Sequence, residues 1–376
     1  MGNYRKESIK MLIKFAVTNY RGFAQRIEWD LSHPSNYSFN EYAIKDGVIK
    51  NGIIYGPNGS GKSNMAFALF DIVNHLSQKM KMADYYVNFV YAGNQSAPVV
   101  FEYTFKFGND ILEYIYSKRA NGTLLTEKIL VNRKQVFNRD EHSFTIDDKQ
   151  FPMDNNMKAN LYDNANNVSV VNFLLTSYPL NKEHYFIHLQ DFVANMLWFR
   201  GLKENEYMGF DSLVTNLDQY IIAHNLVKDF EEFLHDVSEQ TFHFADPHPG
   251  DKMLVCQYGD AQIPFDAIAS TGTQSLMLLY FWLTQLDKAS FVFVDEFDAF
   301  YHFKLSYAVC KRLFSLNCQA FTSSHNTYLM TNDLLRPDCN FILNNNLIKP
   351  LNECTEKELR FGHNIEKMFR GGAFAV

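Results

Sequence analysis

Apolar and polar positions follow two regimes along this chain, and the switch between them is the first guide to its fold. Residues 11–17 and 24–31 read as strands near the start. Strict alternation returns at 99–107 and 111–117, on either side of Gly108-Asn109-Asp110, a hairpin turn by composition. Residues 127–131, 134–138 and 143–146 continue this antiparallel region. From about Asn155 the apolar positions recur every three or four residues, which predicts helices over 160–177, 182–202 and 210–238. Residues 246–251 (DPHPGD) read as a loop, 253–257 as a strand, and the stretch after Thr273 as a helix. No heptad run lasts long enough for an extended coiled coil, and no internal repeat stands out.

Two apolar runs are continuous rather than alternating, as expected of strands covered on both faces. The first, Ile53-Ile54-Tyr55, leads into Gly56-Pro57-Asn58-Gly59-Ser60-Gly61-Lys62-Ser63, and a helix over 64–70 follows. Strand, glycine-rich loop and helix in that order make a phosphate-binding loop. The glycines let consecutive N–H groups and a helix N-terminus face anionic oxygens. Lys62 would reach the β and γ phosphates, and the Ser63 hydroxyl would ligate Mg²⁺. The predicted ligand is a nucleoside triphosphate.

The second run, Phe291 to Val294, ends in Asp295-Glu296. Carboxylates at the C-terminal end of a buried strand lie where such sheets bind ligands. Asp295 suits a water-mediated contact to Mg²⁺, and Glu296 suits positioning the water that attacks a γ-phosphate. A third apolar run, from Ala320, ends in Ser323-Ser324-His325-Asn326, so His325 can reach the same phosphate through its imidazole. Upstream, Ser270-Thr271-Gly272-Thr273-Gln274 opens a helix with small residues, a second anion site with the Ser270 hydroxyl as donor.

Composition narrows the setting. The chain has 376 residues, is 47% apolar and carries a net charge of −7. That is ample for a large core and gives no overall attraction for nucleic acid. The basic cluster Arg5, Lys6, Lys10 and Lys14 reads as a solvated end. Five cysteines without metal-ligand spacing read as reduced, mostly buried thiols of a cytoplasmic protein. The longest apolar stretches fall far short of the ~20 residues that span a bilayer. The charged start lacks a signal-peptide core, and Met11 is a second plausible start.

These motifs, in this order, resemble the ABC-type ATPases of the SMC, RecF and OLD (overcoming lysogenization defect) group. Asn19-Tyr20-Arg21-Gly22-Phe23 is similar to the group's N-F-R-x-F signature, and Gly56 to Asn64 to its Walker A form. Ser270 to Gln274 resembles the degenerate signature of the OLD-like subgroup, and Asp295-Glu296 the Walker B pair. Asp298 to His302 stands where a D-loop would, and Ser324-His325-Asn326 resembles the switch-histidine motif. The segment Asn364 to Gly372 looks like the closing segment of small OLD-like ATPases of bacterial defence operons. The likeness covers both ends of the chain and is weak from about 150 to 245.

The resemblance implies an α/β fold: an ABC/SMC-type P-loop ATPase head with an antiparallel β lobe and a helical insertion. The expected divisions are a first ATPase lobe at 1–150, a helical insertion at 151–245 and a second lobe at 246–376. It also implies a homodimer or higher oligomer with ATP sandwiched head to tail. Ser270, Gly272 and Thr273 of one protomer would then face the γ-phosphate held by Lys62 of its partner. Gln95, in a loop after the phosphate-loop helix, stands where the family's loop glutamine would meet the metal.

The chain shows no D-x-D metal cluster after His325, no H-N-H or R-x4-H nuclease pattern, and no room for long coiled-coil arms. The expected function is therefore an ATPase subunit that holds, senses for or releases a separately encoded nuclease or toxin in anti-phage or abortive-infection defence. A RecF-like DNA clamp and a non-hydrolysing ATP-dependent scaffold are the alternatives. The aromatics Tyr178, Tyr185, Phe186, Trp198 and Phe199 would form the partner surface.

Overall fold

The structure, a computed structural model, describes residues 9–77, 85–163, 168–200, 207–209, 214–248 and 250–375. Two seven-stranded sheets organise the chain. The first is antiparallel, in the spatial order Phe144–Ile146, Lys134–Arg139, Leu124–Val131, Asp110–Lys118, Val99–Phe107, Lys10–Thr18 and Ile27–Asp30. Its alternation in sequence becomes alternation in burial: every second residue from Val99 to Phe107 is buried. Gly108, with φ +62°, turns the chain so that Phe107 pairs with Asp110.

The second sheet carries the site. Its order is Tyr207–Met208, Met196–Arg200, Phe291–Asp295, Gln319–Ser324, Asn51–Tyr55, Asn340–Asn344 and Leu347–Pro350. The five inner strands are parallel and the outer two antiparallel to their neighbours. The strand Phe291–Asp295 is buried throughout, as a continuous apolar run requires.

The helical segment departs from expectation in a way that matters. The run 182–202 is a helix over Tyr185–Ala194 followed by the strand Met196–Arg200, which joins the central sheet beside Phe291–Asp295. Tyr185, Phe186, Trp198 and Phe199 are buried in the core, which removes them as a partner surface. The other helical runs divide into Asn155–Asp163 and Val170–Ser177, and into Leu217–Ala223 and Val227–Ser238. Residues 164–167, Gly201, Leu202, the start of the third run at 210–213, and Pro249 lie outside the described residues, as do Arg5 and Lys6. Lys14 pairs with Glu28 and Asp30, and Lys10 with Asp191, so these two charges are met within the chain.

Buried polar groups tie the layers together. Gln319 accepts from the Leu12 N–H (2.7 Å) and donates to the carbonyls of Leu12 (2.9 Å) and Ile49 (3.2 Å). Asp71, at the start of the helix Asp71–Leu76, accepts from Lys118, Tyr116 and Tyr85. Glu127 accepts from Arg139 (2.8 Å), Tyr114 (2.6 Å), the Ser169 hydroxyl (2.7 Å) and the Val170 N–H (2.8 Å). It thus fills the N-terminus of the helix Val170–Ser177 with a negative charge. All five cysteines are free and buried, and no helix among the described residues is long and apolar enough to cross a membrane.

Burial alone would raise the Glu127 pKa, but His75, Arg139 and Tyr114 outweigh it and bring it from 4.5 to about 2. A carboxylate held lower in the folded state stabilises the fold above its unfolded value and loses that contribution as pH falls through its folded value. The stability gap between wild type and Glu127→Gln should therefore be full above pH 4.5 and shrink toward pH 2, read by urea unfolding across that range. Arg139→Met, which strands a buried carboxylate, should cost ~3–5 kcal/mol at neutral pH.

Candidate phosphate-binding site

The phosphate loop follows Asn51–Tyr55, in the middle of the central sheet, and opens the helix Lys62–Leu69. Gly59 (φ +77°) and Gly61 (φ +101°) take left-handed conformations that a side chain would strain. A Cβ on Gly56 would lie 2.4 Å from the Leu343 carbonyl oxygen, and one on Gly61 would lie 2.8 Å from the Phe23 ring. The Asn19–Phe23 segment is thus a brace under the loop: Phe23 packs on Gly61, and Gly22 lies beside Asn64. Asn58 is exposed at the tip, and Ser60 and Ser63 are partly exposed.

Lys62 is 5% exposed and donates to the carbonyls of Gly56 (2.8 Å) and Pro57 (3.2 Å). Burial lowers its pKa, against the pull of Asp295 and Glu296, so the lysine and both carboxylates share one electrostatic neighbourhood. An ammonium held this way is poised for an anion: phosphate oxygens can replace the loop carbonyls while the charge stays in place.

The acidic pair is fixed by the strand beside it. The Ser323 hydroxyl donates to Asp295 Oδ1 (2.5 Å) and accepts from the Glu296 N–H (2.8 Å). Arg200 holds the other Asp295 oxygen at 3.2 Å. Glu296 sits at φ +48°, an uncommon conformation for a residue with a side chain. It turns the chain out of the strand and leaves Glu296 partly exposed while Asp295 is fully buried. Asp298 accepts from the Ser324 hydroxyl (2.6 Å); burial raises its pKa despite that bond, and it lies within electrostatic reach of His325 and Glu296. His325 itself is exposed at the strand tip.

The small-residue segment opens the helix Thr271–Gln285. Ser270 is its N-cap, accepting from the Thr273 N–H (3.2 Å). The Thr273 hydroxyl donates to Gln240 (3.1 Å) and so accepts from Ser270 (2.9 Å). Thr273 is buried, so it braces Ser270 rather than facing solvent. A Cβ on Gly272 would lie 3.1 Å from the Phe300 carbonyl oxygen, and Ser275 bonds Tyr301 (2.9 Å), so this helix packs on the 298–302 segment. No hydrogen bond among the described residues joins 270–273 to the phosphate loop of the same chain.

Gln95 is exposed in a loop that Asn19 anchors by donating to the carbonyls of Asn94, Ala97 and Pro98. It lines a cleft with Arg119, Asn121 and Glu141, apart from the residues gathered around Lys62. Arg200 is the site residue that sequence reasoning missed. The available signal was the run Met196 to Phe199 ending in a cation, the same form as Phe291 to Val294 ending in acids, and the register places Arg200 opposite Asp295.

Phosphate loop, acidic strand and histidine strand, set side by side in a parallel sheet with an antiparallel lobe, define the fold of a P-loop head of the ABC/SMC type. The chain belongs to the family described as "AAA domain, putative AbiEii toxin, Type IV TA system", whose model matches residues 53–331. No curated protein matches the sequence. Among solved structures, the SMC head domain from Thermotoga maritima is similar at 13% identity and TM-score 0.44, covering 90% of this chain and 98% of that one. The Smc head domain with a coiled coil and joint from Pyrococcus yayanosii is similar at 10% identity and TM-score 0.48, covering 97% and 100%.

Gly61→Ala forces a methyl into the Phe23 ring at a positive φ. It should abolish binding of a fluorescent ATP analogue while the far-ultraviolet circular dichroism stays that of the wild type. Retention of wild-type affinity would refute the role of this loop.

Proposed function

We propose that this chain is an ATP-hydrolysing switch whose two copies close around ATP, and that it governs a separately encoded nuclease or toxin in bacterial anti-phage or abortive-infection defence. The observation that carries the reading is the division of the site. Lys62 lies within electrostatic reach of Asp295 and Glu296, and Asp298 within reach of Glu296 and His325, while Ser270 stands exposed with no hydrogen bond to its own phosphate loop. A second copy would complete the triphosphate's surroundings. Phe300, Phe303 and Tyr328, all exposed beside the 298–302 segment and His325, give that copy apolar surface to cover. The family description, with its toxin and type IV toxin–antitoxin system, supports the defence setting.

In this reading Lys62 and the N–H groups of residues 59–63 hold the β and γ phosphates. Ser63 would ligate Mg²⁺ directly. Asp295, with Arg200 on one oxygen and Ser323 on the other, fits contact through water better than direct ligation. Magnesium would supply neutralising charge to the phosphate oxygens. Glu296 orients the attacking water, and His325 donates to the γ-phosphate. Hydrolysis then removes the group that Ser270 of the partner protomer grips, and the assembly loosens.

Glu296→Gln should lower turnover by ~10²–10⁴-fold. Its solution mass, measured by light scattering, should double on adding ATP and Mg²⁺ and remain that of one chain when Ser270→Arg is added. A Glu296→Gln mass fixed at one chain with ATP bound would overturn the two-copy mechanism.

A further inference from the structure

A cavity of about 1030 Å³ opens at the opposite end of the central sheet from the phosphate loop. Its floor includes Ser290 and Gln319, which lie at the starts of the acidic and histidine strands, whereas the phosphate loop follows the far end of Asn51–Tyr55. Five lysines line it, Lys10, Lys45, Lys50, Lys182 and Lys288, against two carboxylates, Glu183 and Asp191. This concentration of positive charge stands out in a chain with 42 acidic and 35 basic residues. Asp191 is spent on Lys10 at 3.2 Å. Lys45, Lys50, Lys182 and Lys288 make no ion pair with any described residue, and Lys50 is half-buried.

An ammonium drawn out of water without a counter-charge is costly. Burial lowers the Lys50 pKa, and Lys45 adds to the effect. An anion in the cavity would relieve both. The lining also selects among anions. Its two aromatic rings, Phe192 and His188, are 1% and 6% exposed, and His188 packs on Phe107, so neither offers an open face on which a base could stack. Four lysines facing one space favour several phosphate groups carried on one small molecule, held by charge rather than by shape.

We propose that this cavity binds a small, multiply phosphorylated ligand, with Lys45, Lys50, Lys182 and Lys288 holding its phosphates. The site is separate from the ATP site, and nothing in it depends on how ATP is used.

Inorganic tripolyphosphate is the probe. Titration calorimetry uses the full chain carrying Lys62→Ala, which silences the phosphate loop, at about 0.15 M salt, where surface attraction beyond ~8 Å is screened. Saturable binding should appear and weaken at least tenfold when Lys45→Gln and Lys288→Gln, both at exposed positions, are added. Lys50→Gln should weaken it further. The same lysine substitutions in the otherwise wild-type chain should leave ATP affinity unchanged. Absence of binding, or equal binding with and without the lysines, would overturn the proposal. So would tight, lysine-dependent binding of a short single-stranded oligonucleotide with no binding of tripolyphosphate, which would make the cavity part of a nucleic-acid surface.

Discussion

The site depends on one hydroxyl. Asp295 is fully buried, and a carboxylate in that position is tolerable only if its oxygens are met. Ser323 meets one of them and, with its lone pair, also holds the Glu296 N–H at the point where the backbone leaves the strand in a left-handed turn. That turn costs roughly 1–2 kcal/mol for a residue with a Cβ. One side chain therefore meets an oxygen of the first carboxylate, whose other oxygen Arg200 holds, and sets the direction of the second. It can do so only because Gln319–Ser324 runs parallel to and in register with Phe291–Asp295, so strand order is itself part of the site.

The phosphate loop is supported from the other lobe. Its glycines are needed for conformation, but Gly61 is also needed for space, because Phe23 reaches it from the segment just after Lys10–Thr18. That segment bends through positive φ at Asn19 and Arg21, with Arg21 lying over the Phe67 ring at 5.0 Å. Asn19 in turn ties down the loop that carries Gln95. The antiparallel lobe thus does more than shield a face of the nucleotide sheet: it sets the shape of the loop.

Much of this is legible in the sequence. Period-two alternation reports which face of a strand is buried, and Val99 to Phe107 shows it without exception. The phosphate loop and acidic pair are local patterns, so their chemistry could be read from neighbours in sequence. What was missed is non-local or lacks a period. Met196 to Phe199 is a continuous apolar run next to a helix, and periodicity cannot tell such a run from helix core. Arg200 gains its meaning only from the strand register that puts it opposite Asp295. Trp198 and Phe199 are core because that strand is an inner strand of the sheet, and Thr273 is buried beside Gln240, a partner 33 positions away.

Gln319 has a mechanical consequence. Its amide grips both polar groups of Leu12 in one sheet and the Ile49 carbonyl just ahead of the phosphate-loop strand, so a single side chain rivets the two lobes. Sliding one sheet over the other would break all three bonds at once in a buried setting, where none can be replaced by water. Shear between the lobes is therefore opposed by a buried three-bond contact, which ties the two sheets into one mechanical unit.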